Sequence, residues 1–535
     1  MKLAPTFQLS WRRPGGQAIS AGAAALALDP EADLAPEVVC GRGSWQLWVT
    51  ARRPVELVSA GATVHVDLAG ADALYLNGYN SWTDSWERPP AGAMPGLSRT
   101  PRLAVRRWVL DASGDYRFAR QDARPGRQHG IGYGYLRRGG DVALLGESRP
   151  DDGVTVVYED LEAGCLRLEK EGPGRAPKAG EGVCAFSLVA FEGALEDAFA
   201  RYAAALGATC RPAPPLVGYS SWYRHYGDID ADRLEHDLDG VSASLARLDL
   251  RCARPLFQID DGYTKVGDWM HPDGRRFPQG MGSLADKIGA CGLVPGLWMA
   301  PFVCERDSAV FSAHSDWLLR DDAGQPVRSG PHWSGAFALD SRHPEVREHV
   351  RASLSTMTRT WGYRFLKLDF LYAAALLPHN GLNRGELMAD ALDLLRASVP
   401  EGTLLDFCGV PVMSAFGRCE YCRIGCDVGL DWDGRRLMRL AGRERVSTRN
   451  SLGSTRGRAH LNGVVFLNDP DVFFLRDDVK LDAAQRSRLL AADAQLGGML
   501  LTSDDMGAWD EAQHQQFERA LATFTARFGG EGADE

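Results

Sequence analysis

Residues Phe365-Leu366-Lys367-Leu368-Asp369-Phe370-Leu371-Tyr372 form a short apolar run that carries two charges two positions apart. Read as a β-strand, positions i and i+2 share a face. That sets Lys367 beside Asp369 and turns Leu366, Leu368 and Phe370 to the other side. Two charges in such a run are costly to bury unless they are paired. By itself a K-x-D pair reads as an internal ion pair that ties a core together. Its neighbours along the chain decide between that reading and a chemical one.

Working outward, the run is the fourth of eight similar segments. Candidate strands fall at Leu216–Trp222, Leu256–Asp261, Val294–Phe302, Phe365–Leu371, Thr403–Cys408, Tyr421–Val428, Gly463–Asn468 and Met499–Ser503. Amphipathic or loop segments separate them: Asp230–Leu248, Leu284–Cys291, Pro344–Trp361, Arg384–Ser398, Met413–Arg418, Leu437–His460 and Ala483–Leu496. Strands alternating with crossovers predict an α/β fold, and eight of them over about 310 residues predict a (β/α)8 TIM barrel over 216–525. Ahead of it, 1–191 reads as an antiparallel β-sandwich. Its apolar or alternating runs are Ser44–Thr50, Thr63–Leu68, Ala104–Leu110, Val142–Gly146, Val154–Tyr158, Cys165–Lys170 and Val183–Phe191. A helical and Pro-rich linker, 192–215, joins the two, and 526–535 reads as a disordered tail.

The net charge of −10 and the lack of a Lys/Arg-rich block argue against a nucleic-acid or anionic-membrane partner and suit a neutral substrate. No apolar run reaches the ~18 residues of a membrane span. The start lacks the apolar core of a signal peptide. Arg12-Arg13 before the Ala-rich 18–28 segment faintly resembles a twin-arginine signal, but Phe7 to Trp11 reads better as a strand, and a cytoplasmic location is expected. Eleven scattered cysteines do not form a disulfide framework. Cys419, Cys422 and Cys426 include a CxxC spacing but lack a fourth ligand at zinc spacing, so they read as buried small hydrophobes.

The strand ends are rich in polar and aromatic groups. They carry Ser221-Trp222-Tyr223-Arg224-His225-Tyr226, Asp260-Asp261-Gly262-Tyr263 with Asp268-Trp269, and Arg306-Asp307 with Trp333 downstream. Lys367 and Asp369, Cys408-Gly409, Arg423 and Asp427, Asn468-Asp469-Pro470-Asp471, and Ser503-Asp504-Asp505 follow. Any one could cap a helix, as is expected of Asp504 or Asp505 and of Asp471. The whole ring suits a sugar site, where indoles stack on a pyranose face and charged groups take its hydroxyls. Two carboxylates on separate strands can hydrolyse a glycosidic bond. Lys367 favours an ionised, nucleophilic Asp369. Asp427 is the candidate acid and base. Arg423, on the same strand face, is assigned to a substrate hydroxyl, and burial and the charge of Asp369 are expected to raise Asp427. In the N-terminal domain, Leu76-Asn77-Gly78-Tyr79-Asn80-Ser81-Trp82-Thr83-Asp84-Ser85-Trp86 is either sheet-edge packing or an aromatic platform reaching another domain's site.

These residues resemble glycoside hydrolase clan D, most closely family 36, the melibiase-type α-galactosidases. The matching motifs are Phe257-Gln258-Ile259-Asp260-Asp261-Gly262-Tyr263 with Gly267-Asp268-Trp269 and Phe277-Pro278; Gly296-Leu297-Trp298-Met299-Ala300-Pro301-Phe302; and Ala338-Leu339-Asp340 before His343-Pro344-Glu345-Val346. Leu366-Lys367-Leu368-Asp369, Arg423-Ile424-Gly425-Cys426-Asp427 with Trp432, Asn462-Gly463, and Asn468-Asp469-Pro470-Asp471 complete them. The resemblance is strong over about 215–510. It implies an N-terminal β-supersandwich and a retaining exo-α-galactosidase with Asp369 as nucleophile and Asp427 as acid/base, their carboxyls roughly 5–5.5 Å apart. It implies that Asp260 and Asp261 take the 4- and 6-hydroxyls and Lys367 the ring hydroxyls, with Arg423 and Cys408-Gly409 near the 2-hydroxyl. Trp222, Trp269 and Trp333 become pocket walls, and Trp82 an aromatic lent by the N-terminal loop. No metal or other cofactor is implied, and homo-oligomerisation stays open. The chain departs from the family pattern in two places. The usual C-terminal β-domain is expected to be absent or vestigial. Phe407-Cys408-Gly409-Val410-Pro411 and Gly417-Arg418-Cys419-Glu420-Tyr421-Cys422 also differ from the common Gly-rich forms. An α-N-acetylgalactosaminidase or other clan D α-glycosidase, a galactosyl transferase using the same residues, and a non-catalytic sugar-binding protein remain as alternatives.

Overall fold

The computed structural model describes residues 4–172, 177–434 and 442–529. Most of the tail read as 526–535, and the start of the segment read as Leu437–His460, lie outside the described residues.

The N-terminal residues alternate as a half-buried sheet requires. In Thr6–Arg12, Phe7, Leu9 and Trp11 point inward and their neighbours outward. Two six-stranded sheets result. One runs in the order Ile19–Gly22, Thr6–Arg12, Glu56–His65, Cys165–Glu171, Thr155–Asp160, His129–Ile131. The other runs Leu34–Gly41, Ser44–Ala51, Gly182–Ala194, Asp141–Glu147, Tyr133–Arg138, Ala73–Leu76. All pairings within both are antiparallel. Leu9, Leu47, Val64, Leu166 and Phe186 fill the space between them. One expected strand is not a strand: Ala104–Leu110 falls mostly within a helix, Arg102–Trp108. Its Arg, Leu and Ala residues are good helix formers, and Val109 ends it in a left-handed turn at φ 50°.

The helix Leu195–Ala205 packs on the strands Gly182–Ala194 and Asp141–Glu147 and buries Phe199 and Tyr202 completely. Phe199 also meets Phe416 and His460, so one apolar core runs from the sandwich into the second domain. The two domains are therefore held by shared packing.

That second domain is a ring of parallel strands. In order around it are Leu216–Ser220, Arg254–Ile259, Val294–Met299, Phe365–Leu368, Leu404–Phe407, Tyr421–Arg423, then Leu467–Asp469 with Val472–Phe473, and Met499–Thr502. All eight expected strands are present, each shorter than expected at its C-terminal end except the seventh. The seventh lies later than Gly463–Asn468 and is broken by Pro470-Asp471. Its first piece pairs with the sixth strand and its second with the eighth, which closes the (β/α)8 barrel. Proline removes a ladder donor, and Asp471 takes φ 85°. The long connection after the third strand folds into a small sheet, Val303–Glu305, Ala336–Ala338 and Arg328–Gly330, over its own core of Cys304, Val310, Trp317 and Phe337. No described helix is long and apolar enough to cross a membrane.

Candidate active site

The fourth strand ends at Leu368, so Lys367 and Asp369 do not share a strand face as expected. Phe370 adopts φ 53°, and this turn carries Asp369 off the strand. Its backbone N–H still donates to the Met299 carbonyl at 2.8 Å. Asp369 Oδ1 then accepts from the Phe370 N–H at 2.7 Å and Oδ2 from Trp298 Nε1 at 3.1 Å. Lys367 Nζ pairs instead with Asp260 Oδ2 at 2.9 Å, which also accepts from Gln258 Nε2 at 2.7 Å. Burial pushes Lys367 down, but Asp260, then Cys408 and Asp369, outweigh it and keep the ammonium charged. Burial also dominates at Asp369 and lifts its carboxyl above the usual range. Lys367 pulls the other way, as expected, but does not prevail.

Asp427 likewise lies beyond its strand, which ends at Arg423. Four residues of turn, not strand parity, bring the two side chains together, with Arg423 Nη1 donating to Asp427 Oδ1 at 3.0 Å. Arg423, assigned from the sequence to a substrate hydroxyl, thus lies close enough to Asp427 to pair with it. Contrary to expectation, Asp427 is not buried: its side chain is 37 % exposed. Arg423 is itself buried and holds three carboxylates. Its Nε donates to Asp469 at 2.9 Å and its Nη2 to Asp471 at 3.0 Å. Asp471 is no helix cap. Its Oδ2 accepts from Tyr223 Oη at 2.5 Å and from the Val428 N–H at 2.9 Å. Burial, with Asp427 and Asp469 behind it, pushes Asp471 up to about 7 against the pull of Arg423. Asp469 goes down, because the Arg423 charge and hydrogen bond exceed its desolvation.

Trp82 crosses from the N-terminal domain, its Nε1 reaching Cys408 Sγ at 3.2 Å and its ring packing edge-on to Phe370 and Tyr372 at 5.1 and 5.7 Å. Arg458, fully buried, holds that loop through the carbonyls of Gly78, Asn80 and Ser81. Gly409 permits the approach. A Cβ there would lie 2.9 Å from the Phe370 nitrogen and 3.0 Å from the Trp82 ring, and its φ is 58°. Trp333 also packs on Phe370, at 5.0 Å, and its Nε1 donates to Asp261 Oδ2 at 2.7 Å. Burial lifts Asp261 to about 7, and the neighbouring Asp260 adds to the rise against the Trp333 bond. Trp222 is half-buried at the end of the first strand. Trp269, expected as a wall, is fully buried and stands edge-on to Trp298 at 5.7 Å, while the preceding Asp268 accepts from the Ala309 and Val310 N–H groups at the start of the helix Ala309–Ala313.

Reading the sequence listed Tyr223 among the strand-end groups without giving it a role, and did not single out Trp298 or Asp406 as site groups. Trp298 lies within the Gly296–Phe302 motif and is in register with Lys367, as is Asp406 on the fifth strand. Asp406 is buried, its Oδ1 has no protein donor, and burial and Asp469 raise it far above the usual range. Asp505 caps the short turn Met506–Ala508, as expected, whereas Asp504 accepts from the backbone N–H groups of Leu475 and Arg476 in the loop after the seventh strand and caps no helix. Cys419, Cys422 and Cys426 are buried in the core. Among the described residues, His236, Asp237 and Asp505 are the one group whose donor atoms lie close enough for a metal ion, within 4.8 Å of one another, but Arg224 already spans both carboxylates.

An eight-stranded barrel whose strand ends gather carboxylates, one lysine, one arginine and four indoles is the architecture of a barrel glycoside hydrolase. The Melibiase family model matches residues 220–379. Along most of its length the chain is similar to the α-galactosidase TtGalA of Thermus thermophilus, solved with stachyose. Identity is 32 %, coverage 91 % of this chain and 95 % of that one, and the TM-score 0.71. The same enzyme with p-nitrophenyl α-D-galactopyranoside gives 31 % and 0.70, covering 91 % and 94 %. The α-galactosidase AgaA of Geobacillus stearothermophilus shares the fold at 13 % identity, with a TM-score of 0.60 over 97 % of this chain and 75 % of that one. Among curated relatives, α-galactosidase Mel36A of Lactobacillus acidophilus is 27 % identical over 164 residues, 29 % of this chain and 20 % of that protein. Matches to the curated relatives span about a fifth of their length. The chain belongs to the melibiase-type α-galactosidase family, glycoside hydrolase family 36.

Proposed function

We propose that the chain is a retaining, exo-acting α-galactosidase. The observation that carries this reading is the pairing of two unlike carboxylates at the ends of the fourth and sixth strands. Asp369 is buried against Trp298, and Asp427 is open to solvent on Arg423. An enclosed oxygen on the sugar side suits attack at the anomeric carbon, and an open carboxyl suits proton exchange with a leaving group and then with water. In the first displacement an Asp369 oxygen bonds the anomeric carbon as the glycosidic C–O bond breaks, and Asp427 gives its proton to the departing oxygen. In the second, Asp427 takes a proton from water, whose oxygen displaces Asp369. Asp260, Asp261, Lys367 and Arg423 take the sugar hydroxyls, while Trp82, Trp222 and Trp333 enclose the ring. The Thermus relative's complexes with an aryl α-galactoside and with stachyose support this choice of sugar.

The test is hydrolysis of p-nitrophenyl α-D-galactopyranoside beside the N-acetylgalactosaminide and the glucoside. Wild type releases nitrophenol from the galactoside, and proton NMR shows α-galactose forming first. Asp369→Gly with azide yields the β-galactosyl azide. β-Galactose as first product, or ordinary activity in Asp369→Gly, would sink the proposal. Preference for the N-acetylated sugar, or transfer to an added acceptor sugar, redirects it to those activities.

A further inference from the structure

The N-terminal sandwich does not close at one end. Along the strand Gly182–Ala194 the residues turned toward the facing sheet are Phe186, Leu188 and Ala190, and strand alternation adds Glu192. That is two bulky core residues, a small one, then a charge. Ala143 lies opposite Glu192 on the neighbouring strand. With Leu166 of the facing sheet, these small residues line a cavity of about 680 Å³. Small-molecule sites commonly span roughly 300–1,000 Å³. Trp45, in register with Leu188, forms part of the wall and is half-buried. The hairpin before it is clamped onto the strand. The Gly43 carbonyl accepts from the Ala190 N–H at 2.9 Å, and at its φ of 72° a Cβ would lie 2.8 Å from the Ala190 oxygen. Two arginines complete the lining. Arg42 precedes Gly43 in that hairpin, and Arg201 comes from the helix Leu195–Ala205. The Arg201 guanidinium lies over Phe191 at 5.4 Å and donates to the Glu192 carbonyl, so its charge is held in place.

The leucines at the back of this cavity, Leu136, Leu145 and Leu166, are buried, so little apolar area is left to hold an acyl chain. The groups within reach of solvent are an indole, two guanidiniums and a carboxylate. Charges of both signs disfavour a simple anion or cation. An indole takes the apolar face of a ring, guanidinium groups donate to its hydroxyls, and a carboxylate accepts from them. A neutral pyranose offers all three contacts. We infer that the cavity is a second, non-catalytic sugar site that holds a pyranose unit of an oligosaccharide. Every residue of its lining precedes the barrel strands, and none belongs to the site at the barrel mouth. The choice of a galactosyl oligosaccharide as ligand rests on the galactosidase reading above.

The test blocks the barrel first. The galactose-shaped iminosugar 1-deoxygalactonojirimycin, bound by a variant of the Geobacillus AgaA, is added until p-nitrophenyl α-D-galactopyranoside is no longer hydrolysed. Raffinose follows, and saturation-transfer NMR reads its contact with the protein. Wild type should still transfer saturation to raffinose. Trp45→Ala should weaken that binding about two- to tenfold, the effect of one lost ring contact. Ala143→Leu, which fills the cavity, should abolish it. Without iminosugar both variants should keep the wild-type kcat on the aryl galactoside, which shows that they fold. No transfer in wild type, or undiminished transfer in either variant, overturns the sugar site. A wild-type protein that hydrolyses no galactoside overturns the galactosidase reading alone, and raffinose binding compared between wild type and the two variants still decides the cavity.

Discussion

Asp471 touches no substrate in the proposed mechanism, yet its removal should disable Asp427. Its two oxygens do separate work. Oδ1 takes Arg423 Nη2 at 3.0 Å, and Oδ2 takes Tyr223 Oη and the Val428 N–H at 2.5 and 2.9 Å. In Asp471→Asn one of those oxygens becomes an NH2. If the amide nitrogen faces Arg423, two donors oppose each other. If it faces Tyr223 and Val428, the backbone beside Asp427 loses its acceptor. Asn accepts the positive φ of this position, so the backbone need not change. A hydrogen bond to a charged group contributes about 1.5–3 kcal/mol, and the group left without a partner is buried. A stability loss of about 3 kcal/mol follows, together with a displaced Arg423–Asp427 pair. Misplacement by about 1 Å can reduce a rate about a hundredfold. Steady-state kinetics on the aryl galactoside should therefore show kcat down about a hundredfold with KM changed less than about threefold, and thermal denaturation should show a lower midpoint. Wild-type kcat in a folded Asp471→Asn protein would refute the positioning argument. A lowered midpoint with unchanged kcat would reduce Asp471 to a structural residue.

Other parts of the structure carry their own expected outcomes. Gly409→Ala places a methyl 2.9–3.0 Å from Phe370 and Trp82 at a φ that costs an L-residue about 1–2 kcal/mol. Activity should fall more than tenfold, and indole fluorescence should report a displaced Trp82. Trp298→Phe removes the indole donor to Asp369 while keeping an aromatic ring, and pre-steady-state kinetics should show the first displacement slowed about tenfold or more. Glu444 accepts from Thr83 Oγ1 and Tyr116 Oη across the domain junction, and burial beside Asp115 lifts it to about 7. Its unfolded value is near 4.5, so between about 4.5 and 7 the folded state binds the extra proton and stability falls as pH rises. Glu444→Gln should flatten that slope in denaturation curves measured across this range. An unchanged slope would remove Glu444 from the account.

The fold was legible because each barrel strand is a compact apolar run between turn residues, and eight such runs leave few architectures. The misread places have physical causes. Ala104–Leu110 reads as a strand because it is a short apolar run, but most of it lies in the helix Arg102–Trp108, whose residues favour that form. The seventh strand begins later than expected because Leu467–Asp469 and Val472–Phe473 belong to one strand position that Pro470 splits, and only closure of the ring shows it. The Trp82 loop stood out as aromatic residues among turn residues. That it rests on Cys408 depends on a contact between residues 326 apart, which no local pattern encodes.

The structure joins the candidate site residues in other pairs than strand parity suggests, and the reason is geometric. Strand parity placed Lys367 with Asp369 and Arg423 with Asp427, on the assumption that the strands continue through their charges. Both strands stop first, at Leu368 and Arg423, and the chain turns immediately after. This stop frees each catalytic candidate from the sheet. A carboxylate within a strand would point along a fixed barrel normal among its neighbours' side chains. One residue or a few beyond the end, it can be aimed by a turn: Asp369 by the positive φ of Phe370, Asp427 by the bond between Val428 and Asp471. The charges left on the strands, Lys367 and Arg423, stay buried and take their main partners from at or just beyond the ends of other strands: Asp260 for the lysine, Asp469 and Asp471 for the arginine. The fixed cations thus sit on rigid elements and the two carboxylates proposed to react on the short turns above them. That division suits a site in which the carboxylates must change protonation and bonding while the groups around them stay still.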